Sequence, residues 1–212
     1  MRAMNAAEQG IAVHLGAARL RHLQSVTVGI AGVGGLGSNC AMLLARSGFK
    51  RFVLVDFDCV DGSNLNRQTY GADQIGQLKV TALSHNLLAV NPDLCIDPRT
   101  VRVTPESMEA VFAGCDAVVE AFDDPQCKRA LVEALVPTGV LVVAASGIGG
   151  HGNADAIVTR RVRDNFIMIG DMETECSAEH PPLAPRVALA AAKQADAVLS
   201  HFLNIFNGQG GA

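Results

Sequence analysis

The residues from Val55 to Gln68, VDFDCVDGSNLNRQ, gather side chains that could act together on a phosphate group. Asp56 closes an apolar run and Asp58 follows it. Asn64, Arg67 and Gln68 share one polar segment, and Lys79 stands a short way on. An arginine fork holds phosphate oxygens through paired N–H bonds, whereas a lysine supplies a compact point charge. An asparagine or glutamine amide can orient a phosphate or ribose oxygen. A carboxylate at a strand end can accept from ribose hydroxyls. These types suit chemistry in which the protein positions a phosphate and neutralises its charge. By composition alone the same segment reads as a solvated polar loop, and Lys79 as a surface lysine.

The elements around these residues decide between the two readings. Val26 to Ala31 is a β-branched apolar run that ends in the turn GVGGLGS, Gly32 to Ser38. Gly32, Gly34 and Gly37 satisfy G-x-G-x-x-G, and Gly35 adds a further residue without a side chain. Such a turn lets backbone N–H groups approach phosphate oxygens at a helix N-terminus. The helix it opens is predicted over Ser38 to Ser47, stopped by Gly48. Arg51 to Val55 is the next strand, and Asp56 lies 19 residues after Gly37, the spacing of a ribose-binding acid. The Asn-Arg segment therefore starts at the carboxyl edge of a parallel sheet, where ligands of open α/β sheets bind. The chain lacks G-x-x-x-x-G-K-[ST], so Lys79 is not a P-loop lysine.

Beyond that edge the pattern alternates. It predicts a loop over Asp56 to Gly71, helices over Gln77–Val90, Glu106–Phe112 and Pro125–Leu135, and strands over Cys95–Val103, Ala117–Ala121 and Val140–Ala145. Ala156–Val162 and Phe166–Ile169 read as short strands without a helix between them, able to extend the sheet antiparallel. Asp171–Pro185 is a polar connection, and Arg186–Phe206 a long Ala-rich helix. The fold expected is α/β: a Rossmann-like, mostly parallel sheet with helices on both faces, extended by antiparallel strands near the C-terminus. One domain spans residues 1–212, with a helical segment over 1–24 and a flexible tail over 207–212.

Two further candidates lie past the fourth strand. Asp123 and Asp124 follow it directly. Paired carboxylates there can hold Mg²⁺ against a nucleotide, and Asp124 before Pro125 is a natural helix N-cap. Asp123 takes the metal role and Asp124 the cap. Cys176 stands alone in the polar connection, where flanking acids are expected to raise its pKa. The six cysteines form no C-x-x-C pair and read as reduced thiols. No basic-then-apolar leader opens the chain and no apolar run is long enough to span a bilayer, so the cytoplasm is expected. The net charge of −4 leaves no basic footprint and argues against a nucleic-acid partner.

The motifs GVGGLGSN, VDFD, SNLNRQ, IGQLK and AFDD occur in one order. That combination resembles the ThiF/MoeB/HesA family, bacterial relatives of ubiquitin-activating enzymes, and within it the short forms that activate the sulfur carrier ThiS. The resemblance runs from about Val26 to Val143 and continues more weakly into Ala184–Val187. It implies an adenylyltransferase that binds MgATP and the C-terminal Gly-Gly of a small β-grasp carrier, joining the carrier's carboxylate to the α-phosphate for thiamine thiazole synthesis. By that resemblance Gly34 and Gly35 offer close backbone approach and Asp56 holds the ribose. Asp58 and Gln68 join the nucleotide site, and Asn64, Arg67 and Lys79 bind phosphates. Asp123 holds Mg²⁺, and Cys176 is near the position of a catalytic thiol. Longer relatives carry two C-x-x-C zinc pairs that this chain lacks, so no zinc site is expected. A homodimer is implied. Two other enzyme readings stay open, a dehydratase of threonylcarbamoyl-adenosine in tRNA and an NAD(P)-dependent oxidoreductase. A non-catalytic scaffold is the third.

Overall fold

The computed structural model describes residues 3–206; the expected tail at 207–212 lies outside them, as do Met1 and Arg2. Seven strands form one sheet: β1 (Thr27–Ala31), β2 (Arg51–Val55), β3 (Cys95–Arg99), β4 (Ala117–Glu120), β5 (Leu141–Ala145), β6 (Val158–Arg163) and β7 (Phe166–Gly170), in the order β3-β2-β1-β4-β5-β7-β6. Every pairing is parallel except β6 with β7. The sequence predicted an antiparallel extension. Only the edge strand β6 runs that way, because the tight β6–β7 hairpin lets β7 lie parallel beside β5.

The helices are α1 (Ala6–Leu15), α2 (Ala17–Ser25), α3 (Gly35–Arg46), α4 (Lys79–Val90), the single turn α5 (Met108–Val111), α6 (Pro125–Leu135) and α7 (Ala184–Asn204). Strand alternation sorts the core into two layers. Val28, Ile30, Phe52, Leu54, Val119 and Val143 pack with α3, α4 and α7, whereas Val53, Val55, Val118 and Val142 pack with α5 and α6. The expected N-terminal helix is broken in two at Gly16, whose φ of 85° no helix accommodates. Its first part is anchored by a reciprocal cap between Asn5 and Glu8 and by the Glu8–Lys50 ion pair at 2.6 Å. β3 stops at Arg99 instead of Val103, after an edge strand that tolerates Pro98. α7 begins two residues before the predicted Arg186, because Pro185 fits the first turn, where its missing N–H breaks no helical bond.

The strand order reverses at β1, which has β2 on one side and β4 on the other. That switch point opens a crevice at the carboxyl edge, and the glycine turn enters it directly. Gly32 takes a φ of 87°, and a side chain there would meet the Ala121 carbonyl oxygen at 2.8 Å. At Gly37 a Cβ would run into the Gly32 carbonyl, which is how α3 packs so tightly on the end of β1. Gly37→Ala is expected to lower stability by about 3 kcal/mol, the upper end of overpacking costs, because backbone cannot yield as a side chain can. Thermal melting reads this, and an unchanged melting temperature would show that the turn tolerates the methyl.

Candidate functional site

Gly34 caps α3 with no side-chain hydrogen bond, so the cap residue offers the N–H groups of the first turn no acceptor. A helix head of this kind favours an anion. A Cβ on Gly34 would come only within 3.7 Å of Gln68 Nε2. One on Gly35 would meet Arg67 Cγ at 3.4 Å and Val187 at 3.0 Å. The side chains of Arg67 and Gln68 lie beside the two glycines.

A web of hydrogen bonds holds the polar segment on the turn. Asn39 Nδ2 donates to the carbonyls of Gly35 at 2.7 Å and Arg67 at 2.8 Å. Thr69 N–H donates to Ser38 Oγ at 3.2 Å, and the Tyr70 hydroxyl donates to the Val33 carbonyl at 2.7 Å. Tyr70 is buried, and burial with Asp56 nearby pushes its hydroxyl pKa up, so it stays a neutral donor. Ser38, Asn39 and Tyr70 escaped the sequence reading. Their signal was faint: two polar residues in the first turns after the glycines, and the chain's single tyrosine in an otherwise polar loop.

Arg67 Nη1 donates to the Ser63 carbonyl at 3.2 Å and Asn66 Oδ1 at 2.7 Å, and Arg67 has no ion pair among the described residues. Its charge is therefore available to a ligand. Asn64 Oδ1 accepts from Asp61 N–H at 3.1 Å within a one-turn helix, and its NH₂ makes no hydrogen bond among the described residues. Asp56 has a job the sequence did not reveal. Its carboxylate accepts from Val33 N–H at 2.8 Å and Asp58 N–H at 2.9 Å, bracing the glycine turn against β2. A carboxylate has about four acceptor directions, so two remain for a ribose.

Lys79 is not the surface lysine that composition suggests. It is 7% exposed, heads α4, and its ammonium donates to Asp58 Oδ2 at 2.8 Å. Asp58, read as part of a nucleotide site, is the counter-ion that makes this burial tolerable.

On the other side of β1, Asp124 caps α6 as expected, accepting from Cys127 N–H at 3.1 Å and Gln126 N–H at 3.3 Å. Asp123 is exposed and makes no hydrogen bond or ion pair among the described residues. Glu120 is buried against Lys128 at 2.9 Å; burial raises its pKa and the lysine opposes that rise. Gln194 of α7 donates to the carbonyls of Glu120 at 3.0 Å and Val143 at 3.2 Å, tying the long helix to this edge. A cleft of about 370 Å³ opens beside the Glu120–Lys128 pair, walled by Phe166 and Met168.

Cys176 is exposed, and the reason given for its pKa needs correcting. Partial burial, not the neighbouring acids, pushes the thiol up, while Arg67, Lys128 and Arg186 pull it down. The arginine of the Asn-Arg segment is thus among the charges that act on the thiol. Asn66 Nδ2 donates to the Pro182 carbonyl at 3.3 Å and joins the same two loops. His151 and His180 lie on the connecting loops.

The site thus sets a glycine turn at the switch point of a doubly wound sheet, with a braced carboxylate and two cations beside it. The chain belongs to the ThiF family, whose model matches residues 8–206. It is similar to the adenylyltransferase and sulfurtransferase UBA4 of Candida glabrata, 36% identical over 131 residues that cover 61% of this chain and 30% of that protein. It is also similar to the molybdopterin-synthase adenylyltransferase of Salmonella typhimurium, 30% identical over 65% of this chain and 56% of that protein. The chain thus spans about a third to a half of the length of the curated relatives it matches. Among solved structures, the tRNA N6-threonylcarbamoyladenosine dehydratase of E. coli in complex with ATP superposes with a TM-score of 0.87 at 20% identity, over 99% of this chain and 100% of that one. E. coli MccB with ATP gives 0.72 at 20% identity, over 88% of this chain and 59% of that one. These likenesses establish the fold.

Proposed function

We propose that this protein is an ATP-dependent adenylyltransferase that activates the C-terminal Gly-Gly carboxylate of a small β-grasp sulfur carrier. The observation that carries this is Arg67, whose stem lies across Gly35 at the open head of α3 and whose charge has no acidic partner among the described residues. A triphosphate at that helix head would meet the turn's N–H groups and the Arg67 fork, with Asn64 in the same loop as Arg67 and Lys79 at the head of α4. Asp56 would take the ribose. The carrier's carboxylate would attack the α-phosphorus, forming the acyl-phosphate bond as the bond to pyrophosphate breaks. Arg67 and Lys79 would stabilise the charge that develops.

The residues fit a magnesium ion. Asp56, Asp58, Glu120 and Asp124 each have a protein partner, and Asp123 makes no hydrogen bond or ion pair among the described residues. One carboxylate with substrate phosphates and water is an ordinary Mg²⁺ set. When bound, the ion would neutralise phosphate charge; the other steps rest on the protein's own groups.

Within this reading the carrier is ThiS-like and the product serves thiamine thiazole synthesis. The protein works as a homodimer in the cytoplasm. Adenylation needs no protein nucleophile, so Cys176→Ser is expected to retain ATP–pyrophosphate exchange within about twofold; a loss above tenfold would give the thiol a part in the first step. Heat unfolding offers a direct test of the nucleotide. MgATP should raise the melting temperature and NAD should not, and protection by NAD alone would favour a redox enzyme.

One observation favours a second reading, a dehydratase acting on threonylcarbamoyl-adenosine in tRNA. Strand β6 exposes Arg160, Arg161 and Arg163, a local basic strip on a chain of net charge −4. ATP turnover that depends on modified tRNA and ignores a Gly-Gly carrier would select it.

A further inference from the structure

The two parts of the proposed phosphate site come from different elements: the first turn of α3, and Arg67 in the polar loop after β2. One side chain joins them. Asn39 stands one turn after Gly35 on α3 and is half-buried. Its amide nitrogen donates to the Gly35 carbonyl at 2.7 Å and to the Arg67 carbonyl at 2.8 Å, which uses both N–H bonds of the group. The other hydrogen bonds of Arg67 stay inside its own loop. Its N–H donates to the Asn64 carbonyl at 3.1 Å, and its guanidinium donates to Ser63 and Asn66. The stem of Arg67 crosses the space that Gly35 leaves, with Cγ 3.4 Å and Cδ 3.5 Å from where a Cβ would stand. Gly35 thus makes the gap and Asn39 holds the backbone on both sides of it. Helix formation does not ask for this residue, since asparagine is a poor helix former and alanine would serve α3 better.

We propose that Asn39 is a positioning residue that fixes Arg67 against the head of α3, so that the guanidinium fork and the N–H groups of the turn address one polyphosphate. The proposal rests on the proposed function above and adds the group that sets the geometry of its phosphate site. A misplacement of about 1 Å in a preorganised site can cost about 10²-fold in rate, and a planar fork has little tolerance for it. Asn39 acts through Arg67. Ser38 and Tyr70 hold the same loop further on, through the Thr69 N–H at 3.2 Å and the Val33 carbonyl at 2.7 Å. Without Asn39 the loop therefore stays attached while Arg67 loses its register. Aspartate has the shape of asparagine but would set a carboxylate against two carbonyl oxygens, so Asn39→Asp removes the donors and keeps the volume.

A double-mutant cycle between Asn39 and Arg67 tests the assignment, read in carrier-dependent ATP–pyrophosphate exchange and in calorimetric titration with inorganic tripolyphosphate. Asn39→Ala and Asn39→Asp should each lower the maximal exchange rate by about ten- to a hundredfold. The KM for the carrier should stay within about twofold, because only the phosphate side is disturbed. Added to Arg67→Ala, either substitution should cost less than about twofold further, since the group it acts through is gone. Tripolyphosphate affinity should show the same non-additivity with no carrier present. Melting temperatures check folding, and Asn39→Asp reads the lost donors even where Asn39→Ala melts early. Single variants that exchange as fast as the parent, or losses that multiply in the double variant, overturn the positioning role and leave the proposed function in place. Non-additive tripolyphosphate binding in a protein without carrier-dependent exchange overturns the proposed function and leaves the positioning role. A parent protein that binds neither ATP nor tripolyphosphate overturns both.

Discussion

Arg67→Ala is expected to lower carrier-dependent ATP–pyrophosphate exchange by about 10²–10³-fold, the cost of removing one preorganised group that stabilises transition-state charge. The fold should survive. The guanidinium bonds only to Ser63 and Asn66 in its own loop, and the loop is held on the glycine turn through the Arg67 carbonyl, which alanine keeps. Melting temperature should therefore stay within a few degrees while exchange collapses. Arg67→Lys should recover little, because a point charge cannot reproduce the planar fork. Full exchange in Arg67→Ala would remove the residue from the phosphate role. Lys79 would give a less readable result, since its removal also leaves Asp58 without its counter-ion.

The largest expected effect on stability lies at Asp171 and Arg186. Both are nearly buried and joined at 2.6 Å, with side-chain exposures of 12% and 6%. Arg186 also donates to the carbonyls of Gly152 at 3.0 Å and Asn153 at 3.4 Å. Asp171 accepts from Thr174 N–H at 2.8 Å and Glu173 N–H at 2.9 Å. The pair thus closes the glycine-rich loop after β5 against the connection that carries Cys176. Asp171→Ala strands a buried guanidinium and is expected to cost about 3–5 kcal/mol, read from denaturant unfolding. A cost under 1 kcal/mol would show that solvent already reaches the pair.

The same pair predicts a pH dependence. Burial works to raise the Asp171 pKa, but the hydrogen bonds from Thr174, Glu173 and Arg186 outweigh it and hold the carboxyl well below the usual carboxylate range. A depressed folded pKa stabilises fully above the unfolded value, near 3.9, and that contribution is lost as the pH falls toward the folded value. The stability gap between the parent and Asp171→Asn should therefore be constant near neutrality and shrink below about pH 4. A gap that widens on acidification would reverse the sign of the account.

The parts of this molecule that were legible in the sequence are those written in local chemistry. β2 and α6 matched their predicted bounds, Arg51–Val55 and Pro125–Leu135, because Gly48 and Asp56 bracket the strand and Asp124-Pro125 opens the helix. The glycine turn was legible for the same reason. Helix α3 began three residues early, since glycines that permit the turn can also occupy its first turn. What stayed hidden depends on contacts far apart in the chain. Periodicity cannot show that β7 runs parallel to β5, nor that Gln194 reaches Glu120. Asp56 carried a ribose signal, but its grip on Val33 N–H exists only once β1 and β2 pair. Lys79 reads as a surface residue until Asp58 folds against it.

The proposed function assigns residues to the nucleotide half of the reaction and few to the acyl half. The proposed function requires that a carboxylate on a carrier protein attack ATP here. Isotope exchange between pyrophosphate and ATP, measured with and without a β-grasp carrier ending in Gly-Gly, tests that claim most directly. Exchange that requires the carrier and disappears when its terminal glycine is deleted is the predicted result. ATP binding without exchange under any such carrier, or exchange indifferent to the carrier's terminus, would contradict it.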